Sequence, residues 1–191
     1  FSGLIGVGML FYLNTLTGVL GVLALFSYVA IYTPLKRITP WAVFIGAFPG
    51  AIPPMLGWVA AIGSFGLEPG ILFALQFMWQ FPHFWAIAWK IDDDYLKAGF
   101  RLLPSPNGRD SLSAFLILVY TLFMIASSFL PIMFGMAGMG AAIFIAIAGI
   151  VMLIPAINLY RTNEMKSATK LMFASFVYIP VVLIAMYFDK I

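Results

Sequence analysis

Residues 70–94 read GILFALQFMWQFPHFWAIAWKIDDD. Gly70 to Trp89 carry no formal charge, and the run then ends on Lys90 and on three consecutive acids, Asp92, Asp93 and Asp94. About 20 largely apolar residues wound as a helix cross a hydrocarbon core. Within this run lie Gln76, Gln80 and His83. Polar groups at membrane depth are costly and face a bundle interior or a wet cavity. The stretch therefore reads as a membrane helix with one working face that ends on a charged cluster.

The rest of the chain fits that solvent. Of 191 residues, 63% are hydrophobic and 9% charged, with a mean hydropathy of +1.06, against roughly 45–50% apolar and about 25% charged in a soluble domain. No cysteine is present, which excludes disulfides, iron–sulfur clusters and thiolate metal sites. A soft metal or heme iron would have to take His83, the single histidine, or a methionine. The chain opens on Phe1 inside an apolar run, not on a basic leader with a cleavage site, so the start reads as a cut.

Charge-free runs place the other spans. Residues 1–35 carry no charge and are interrupted by Asn14-Thr15. That leaves the end of one helix, then a full span over about Thr17–Thr33. Trp41–Ile62 is the next span and Gly70–Trp89 the third. Ser111 to Tyr160 is too long for one crossing, and the segment Pro131 to Gly140, with Gly135 and Gly138 inside it, supplies the turn. Leu112–Met133, Ala141–Tyr160 and Leu171–Phe188 complete about six full spans. Backbone groups in lipid must bond within their own segment, so the expected class is all-α, a multi-span helical bundle. Residues 1–191 form one integral membrane domain on this reading.

Alternating spans put Lys36, Arg37, Lys90, Lys97, Arg101, Arg109, Arg161, Lys166 and Lys170 on one side and leave only Lys190 on the other. Short cytoplasmic loops are enriched in Lys and Arg, so the basic side is the cytoplasm, or the matrix of a mitochondrion. Chemistry is expected there, because the acids collect there too. Carboxylates beside cations suit a Mg²⁺-bound diphosphate: the acids hold the metal, and Lys or Arg neutralises the remaining phosphate charge. A solvated loop whose charges only set topology explains the triplet equally simply.

Gln76, Gln80, His83, Lys90 and Asp94 fall at helical spacing on one face. A straight helix would set His83 and Asp94 about 16 Å apart, with Pro82 a candidate kink. His83 alone also fits a neutral core histidine bonded to a neighbour. Trp89 suits an interfacial anchor. Gly46, Gly50 and Gly57 share a face ahead of and beyond Pro53-Pro54, which favours close helix packing, with a broken helix lining a ligand cavity as the functional alternative.

Taken together, Tyr32-Thr33-Pro34-Leu35-Lys36-Arg37-Ile38-Thr39, then Gly46-Ala47 through Gly50-Ala51-Ile52-Pro53-Pro54 to Gly57-Trp58, then Trp79-Gln80-Phe81-Pro82-His83-Phe84, then Asp94-Tyr95 with Ala98-Gly99 and Leu103-Pro104 resemble successive motifs of the heme O synthase (protoheme IX farnesyltransferase) family, within the UbiA-type intramembrane prenyltransferases. The resemblance is dense from about Val29 to Pro104 and collinear beyond, as far as Lys170-Leu171-Met172-Phe173.

That resemblance implies a nine-helix bundle in which farnesyl diphosphate and heme b meet in a central cavity. It implies that Mg²⁺ assists loss of diphosphate, that the heme 2-vinyl group takes the farnesyl C1, and that water completes the hydroxyethylfarnesyl group of heme O, destined for heme-copper oxidases. On this chain it implies catalytic roles for Asp94, Asp93, Tyr95 and His83. Metal ligation falls to Asp94 and Asp93, and substrate binding to Lys36, Arg37, Gln80, Lys97 and Arg101. It further implies membrane lipid as surroundings, no nucleic-acid partner, and association with heme A synthase or oxidase assembly factors. The expected location is a bacterial inner membrane or the mitochondrial inner membrane.

The match has departures. The second acidic motif of the superfamily is commonly Asp-x-x-x-Asp, whereas Asp92, Asp93 and Asp94 are consecutive, and Asp92 stands where relatives carry a basic or neutral residue. The first two helices and the first acidic motif of the family are expected upstream of Phe1. Two other classes stay open on the residues alone: an intramembrane prenyltransferase acting on a quinone precursor, and a non-enzymatic heme or solute transporter.

Overall fold

The computed structural model describes all 191 residues. Helix α1 (Ser2–Leu13) stops at Asn14, whose extended backbone lets its side chain accept from the Thr17 amide at 2.8 Å and so cap α2 (Thr15–Phe26). A π-helical stretch, Ser27–Tyr32, and the short α3 (Thr33–Leu35) continue α2 without a break, giving one apolar rod of 21 residues, Thr15–Leu35. Helix α4 (Ala42–Ile62) ends on Gly63, whose φ of 79° is the left-handed conformation a helix C-cap asks for. Helix α5 (Leu67–Lys90) contains the stretch quoted first, and α6 (Asp92–Lys97) restarts after a single residue, Ile91. Helices α7 (Ser111–Ser127), α8 (Leu130–Met133), α9 (Met139–Thr162) and α10 (Met165–Phe188) follow.

Five helical stretches are long and apolar enough to cross a membrane: Thr15–Leu35, α4, α7 with α8, α9 and α10. Helix α5 matches the longest of them at 24 residues, but Gln76, Gln80 and His83 interrupt its apolar surface. The fold is all-α, and its outside is greasy: Phe115, Phe123, Ile147 and Phe173 stand exposed on helices that bury other apolar residues inward. A chain with apolar groups on both faces suits lipid outside and protein inside.

Helix α5 is the hub. It packs against α4 on one side and against α7 and α10 on the others, while α9 closes the group by contacting α7 and α10. Phe81, Trp89, Ile117, Met152, Leu171 and Val182 form part of one continuous core across these helices. Polar groups are paired across it, with the Trp85 indole N–H as an exception: the Tyr178 hydroxyl donates to Ser128 Oγ at 2.8 Å, and Ser128 Oγ donates to the Met124 carbonyl at 2.9 Å. Helices α1, α2 and α4 make a looser second group, held by a small cluster of Leu20, Ile52 and Val59 and by Asn14 Nδ2 donating to the Val59 carbonyl at 3.3 Å.

Three sequence expectations change. Helix α4 is not broken by Pro49, Pro53 or Pro54; it runs through all three. The stripe from Gln76 to Asp94 is not one helical face, because α5 ends at Lys90 and Ile91 takes φ −116° and ψ 25° before α6 begins. Trp89 is fully buried rather than an interfacial anchor. The loop of residues 98–110 folds back over the end of α5, and its Arg109 Nε donates to the Trp89 carbonyl at 2.7 Å.

Candidate active site

A cavity of about 660 Å³ lies between α1, α2, α4 and α5. Its walls are mostly apolar, with Leu10, Leu25, Val43 and Ile52 among them, and it is widened by Gly3, Gly6, Gly21, Gly46, Gly50 and Gly57. Small residues on α4 were expected to let helices approach. Two of them instead make room for particular side chains: a Cβ on residue 46 would stand 2.7 Å from the Tyr32 ring, and one on residue 50 would collide with the Gln80 amide. Gly57 faces open space.

Tyr28, Tyr32, Tyr95 and Leu102 line the cavity toward the basic end of the bundle, and Gln80 and Phe84 line it along α5. The Lys36 ammonium lies 5.9 Å from the Tyr32 ring and 5.2 Å from the Phe100 ring, which holds it by cation–π attraction against the loop that follows α6. Lys36 and Arg37 share a second hollow there with Thr33, Pro34, Ile38 and Phe100. Of the residues singled out in the sequence, Gln80 and Tyr95 therefore line the cavity, while Lys36 and Arg37 line the neighbouring hollow, with Lys36 against the Tyr32 ring that borders both.

The aspartates separate. Asp94 is exposed and pairs with Lys97 at 3.4 Å, while Asp93 is exposed and pairs with Arg109 Nη1 at 3.0 Å. Asp92 is 6% exposed and turns into a small polar hollow with Arg101, Ser105 and Asn107. Burial pushes its carboxyl up, with nearby Arg109 pulling the other way. Burial also pushes the Tyr95 phenol up, so it stays a neutral donor beside the cavity. Arg101 lines the Asp92 hollow and donates to the Pro106 carbonyl at 3.1 Å. Asp110, by contrast, is held low: burial works to raise it, and hydrogen bonds from Ser105, Ser113 and Asn107 more than offset that.

His83 does not point along the face that Gln80 uses. Its Nδ1 lies 2.8 Å from Ser175 Oγ on α10, and its ring stacks on Trp79 at 4.3 Å. Ser175 Oγ donates to the Met172 carbonyl at 2.6 Å, so its hydrogen is spent and the imidazole Nδ1–H is the donor to it.

Arg109 was read as a topology charge and as one of the cations near the aspartates; the structure has it join the end of α5 to Asp93. Its place directly before Asp110, the N-cap of α7, was the available signal, because a helix start fixes the residue preceding it.

No three carboxylate or imidazole groups of this chain converge as a metal cage. Asp93 and Asp94 are successive hard oxygen donors at the start of α6, each facing a different cation, Arg109 and Lys97. Mg²⁺ keeps several waters and binds through one or two carboxylates together with substrate phosphate oxygens, a donor type that either aspartate supplies.

Comparison with known proteins agrees with this architecture. A protein of Cytophaga hutchinsonii named protoheme IX farnesyltransferase is 51% identical over 173 residues, covering 91% of this chain and 60% of that protein. One of the same name from Christiangramia forsetii is 49% identical over 191 residues, covering 97% and 63% respectively. The chain thus spans less than two thirds of these relatives. A solved structure from work on digeranylgeranylglyceryl phosphate synthase in membranes shares the fold with a TM-score of 0.81 at 19% identity, over 98% of this chain and 66% of that one. Residues 1–178 match the UbiA prenyltransferase family, and the chain belongs to it.

Proposed function

We propose that this protein transfers the farnesyl group of farnesyl diphosphate to the 2-vinyl group of heme b, giving heme O. The observation that carries this is an apolar cavity of about 660 Å³ bordered by Tyr32, against whose ring Lys36 lies, and by Tyr95 of the helix that opens on the acidic turn. An isoprenoid chain and a porphyrin both suit apolar walls, and a diphosphate suits cations. The names of the relatives support the choice of acceptor.

On this proposal Lys36 and Arg37 neutralise the diphosphate, and the Tyr95 hydroxyl donates to one of its oxygens. Asp93 and Asp94 are the residues that would hold Mg²⁺, which would supply charge withdrawal from the leaving diphosphate. The apolar walls of the cavity hold the isoprenoid chain beside the acceptor, so the allylic cation at C1 forms next to the vinyl group. Gln80 contacts the acceptor side of the cavity; Lys97 and Arg101 set the charge of the rim. The site faces the side of the membrane that carries the basic loops, a cytoplasmic or matrix side.

The test is product analysis with the full-length protein in membranes, supplied with farnesyl diphosphate, Mg²⁺ and either heme b or 4-hydroxybenzoate. Heme O from the first mixture alone is the expected result. Prenylated 4-hydroxybenzoate, or no Mg²⁺-dependent diphosphate release with either acceptor, overturns it.

A further inference from the structure

Where α4 meets α5 in the cavity wall, hydrogen-bond acceptors outnumber donors. Gln80 Nε2 donates to the Ala47 carbonyl at 2.9 Å and to the Gln76 carbonyl at 3.3 Å. Both partners are acceptors, so the orientation of the amide is fixed and Oε1 is the atom left over. The side chain is 3% exposed and lines the cavity, yet neither hydrogen bond it makes uses that oxygen. Gly50 is what leaves it space, since a Cβ there would collide with Oε1.

Helix α4 adds acceptors of its own. Pro53 and Pro54 have no N–H, so the carbonyls of Pro49 and Gly50 lack their usual partner one turn on. Pro49, Gly50 and Pro53 line the same cavity. Acceptors without donors at membrane depth call for an O–H, an N–H or a positive charge. A farnesyl chain offers none, and the vinyl and methyl edge of heme b offers none. Water offers two.

We propose that Gln80 Oε1, with the freed α4 carbonyls, holds the water that becomes the hydroxyl group of the product. This rests on the proposed function. In the balanced step the C1–O bond of farnesyl diphosphate breaks, and its electron pair leaves on the diphosphate. The vinyl π pair forms the new C–C bond to farnesyl C1, which leaves a positive charge on the vinyl carbon attached to the porphyrin. A lone pair of the held water forms the C–O bond there, and the surplus proton passes to a diphosphate oxygen. One water and one farnesyl diphosphate are consumed, and hydrogen diphosphate is released. Gln80 neither gains nor loses a proton; its oxygen orients the water and, with the carbonyl dipoles, favours the transient cation.

If the water is not held, the cation sheds a proton instead and gives an alkene lighter than heme O by one water. The experiment is therefore a ratio, not a rate: heme O against its dehydrated form, by chromatography and mass, from full-length parent, Gln80→Leu and Gly50→Ala. The Gly50 variant displaces the amide without removing it, so it gives an independent answer if Gln80→Leu folds poorly. A shift of about tenfold toward the alkene is expected in both, the size of one lost hydrogen bond. A parental ratio in either folded variant, whatever its rate, overturns the water site, as does loss of both products together. Absence of any prenylated heme from the parent instead overturns the functional proposal on which it stands.

Discussion

Arg109 and Asp93 are joined, Nη1 to Oδ2 at 3.0 Å, across the turn where α5 gives way to α6, while Nε of the same guanidinium donates to the Trp89 carbonyl. Arg109 is thus the clamp that fixes where the acidic turn sits on the end of α5. Asp93 is largely exposed, so the ion pair itself contributes little. The buried Trp89 carbonyl left without a donor is the larger loss, about 1–3 kcal/mol. Arg109→Met is expected to lower thermal stability in detergent by that amount and to raise the KM for farnesyl diphosphate. Arg109→Lys reaches one partner, not two, and recovers part of each. Parental stability and KM in Arg109→Met would show that the clamp is idle.

Asp94 and Asp92 should behave in opposite ways. Asp94 is exposed and touches only Lys97, so Asp94→Ala leaves the fold intact. If its carboxylate serves Mg²⁺, heme O formation falls by several kcal/mol of transition-state stabilisation, on the order of a thousandfold. Asp92 is buried with its pKa raised by burial. The folded state therefore disfavours its charged form: the penalty is present above the folded pKa and is relieved as the pH falls through it. Asp92→Asn is expected to match or exceed the parent in stability at neutral pH and to lose the part of the pH dependence that Asp92 supplies. A clear fall in stability at neutral pH would mean that the attraction of Arg109 outweighs burial.

Asp110 reverses that sign. Its side chain caps α7, accepting from the Ser113 amide at 2.8 Å and from Ser105 Oγ at 2.6 Å, and its pKa is lowered. The stabilisation is present above the unfolded pKa and is lost as the pH falls through the folded one, in the acidic range below about 4. Asp110→Ala is expected to cost about 1 kcal/mol at neutral pH, the usual worth of an N-cap. Asp110→Asn keeps the cap and removes the acid-side loss. Identical acid melting curves for parent and Asp110→Asn would sink this assignment.

The spans were legible because charge is scarce: Lys36-Arg37, Lys90 and Arg161 mark helix ends that structure and sequence share. The working face of α5 was legible only in part. Gln80 and His83 sit three residues apart, a rotation that on a surface helix means one face, but α5 is contacted on several sides. That rotation is enough to send Gln80 to α4 and His83 to α10. The break at Ile91 had a local signal in the three aspartates, since acids favour the first turn of a helix. Burial of Trp89 had none. It depends on packing into the core that α5 shares with α7, α9 and α10, a long-range event that no local pattern in Trp89-Lys90 encodes.

His83 provides the last test. Its stack on Trp79 and its hydrogen bond to Ser175 tie α5 to α10, and Trp79 Nε1 adds a second tie by donating to the Ser175 carbonyl at 2.9 Å. A side chain that spends its Nδ1–H on α10 and is only 6% exposed is placed to hold helices together. His83→Ala is expected to destabilise the protein by about 1–3 kcal/mol through the lost hydrogen bond. His83→Gln, which keeps a donor near Ser175 Oγ, should recover part of that. The visible spectrum of heme bound to full-length protein should be the same in parent and both variants, because the ring nitrogen that orients the imidazole faces Ser175 and not the cavity. A shifted Soret band, or heme affinity lost in His83→Ala while stability stays parental, would mean that Nε2 reaches the iron, and the histidine would then belong to the acceptor site.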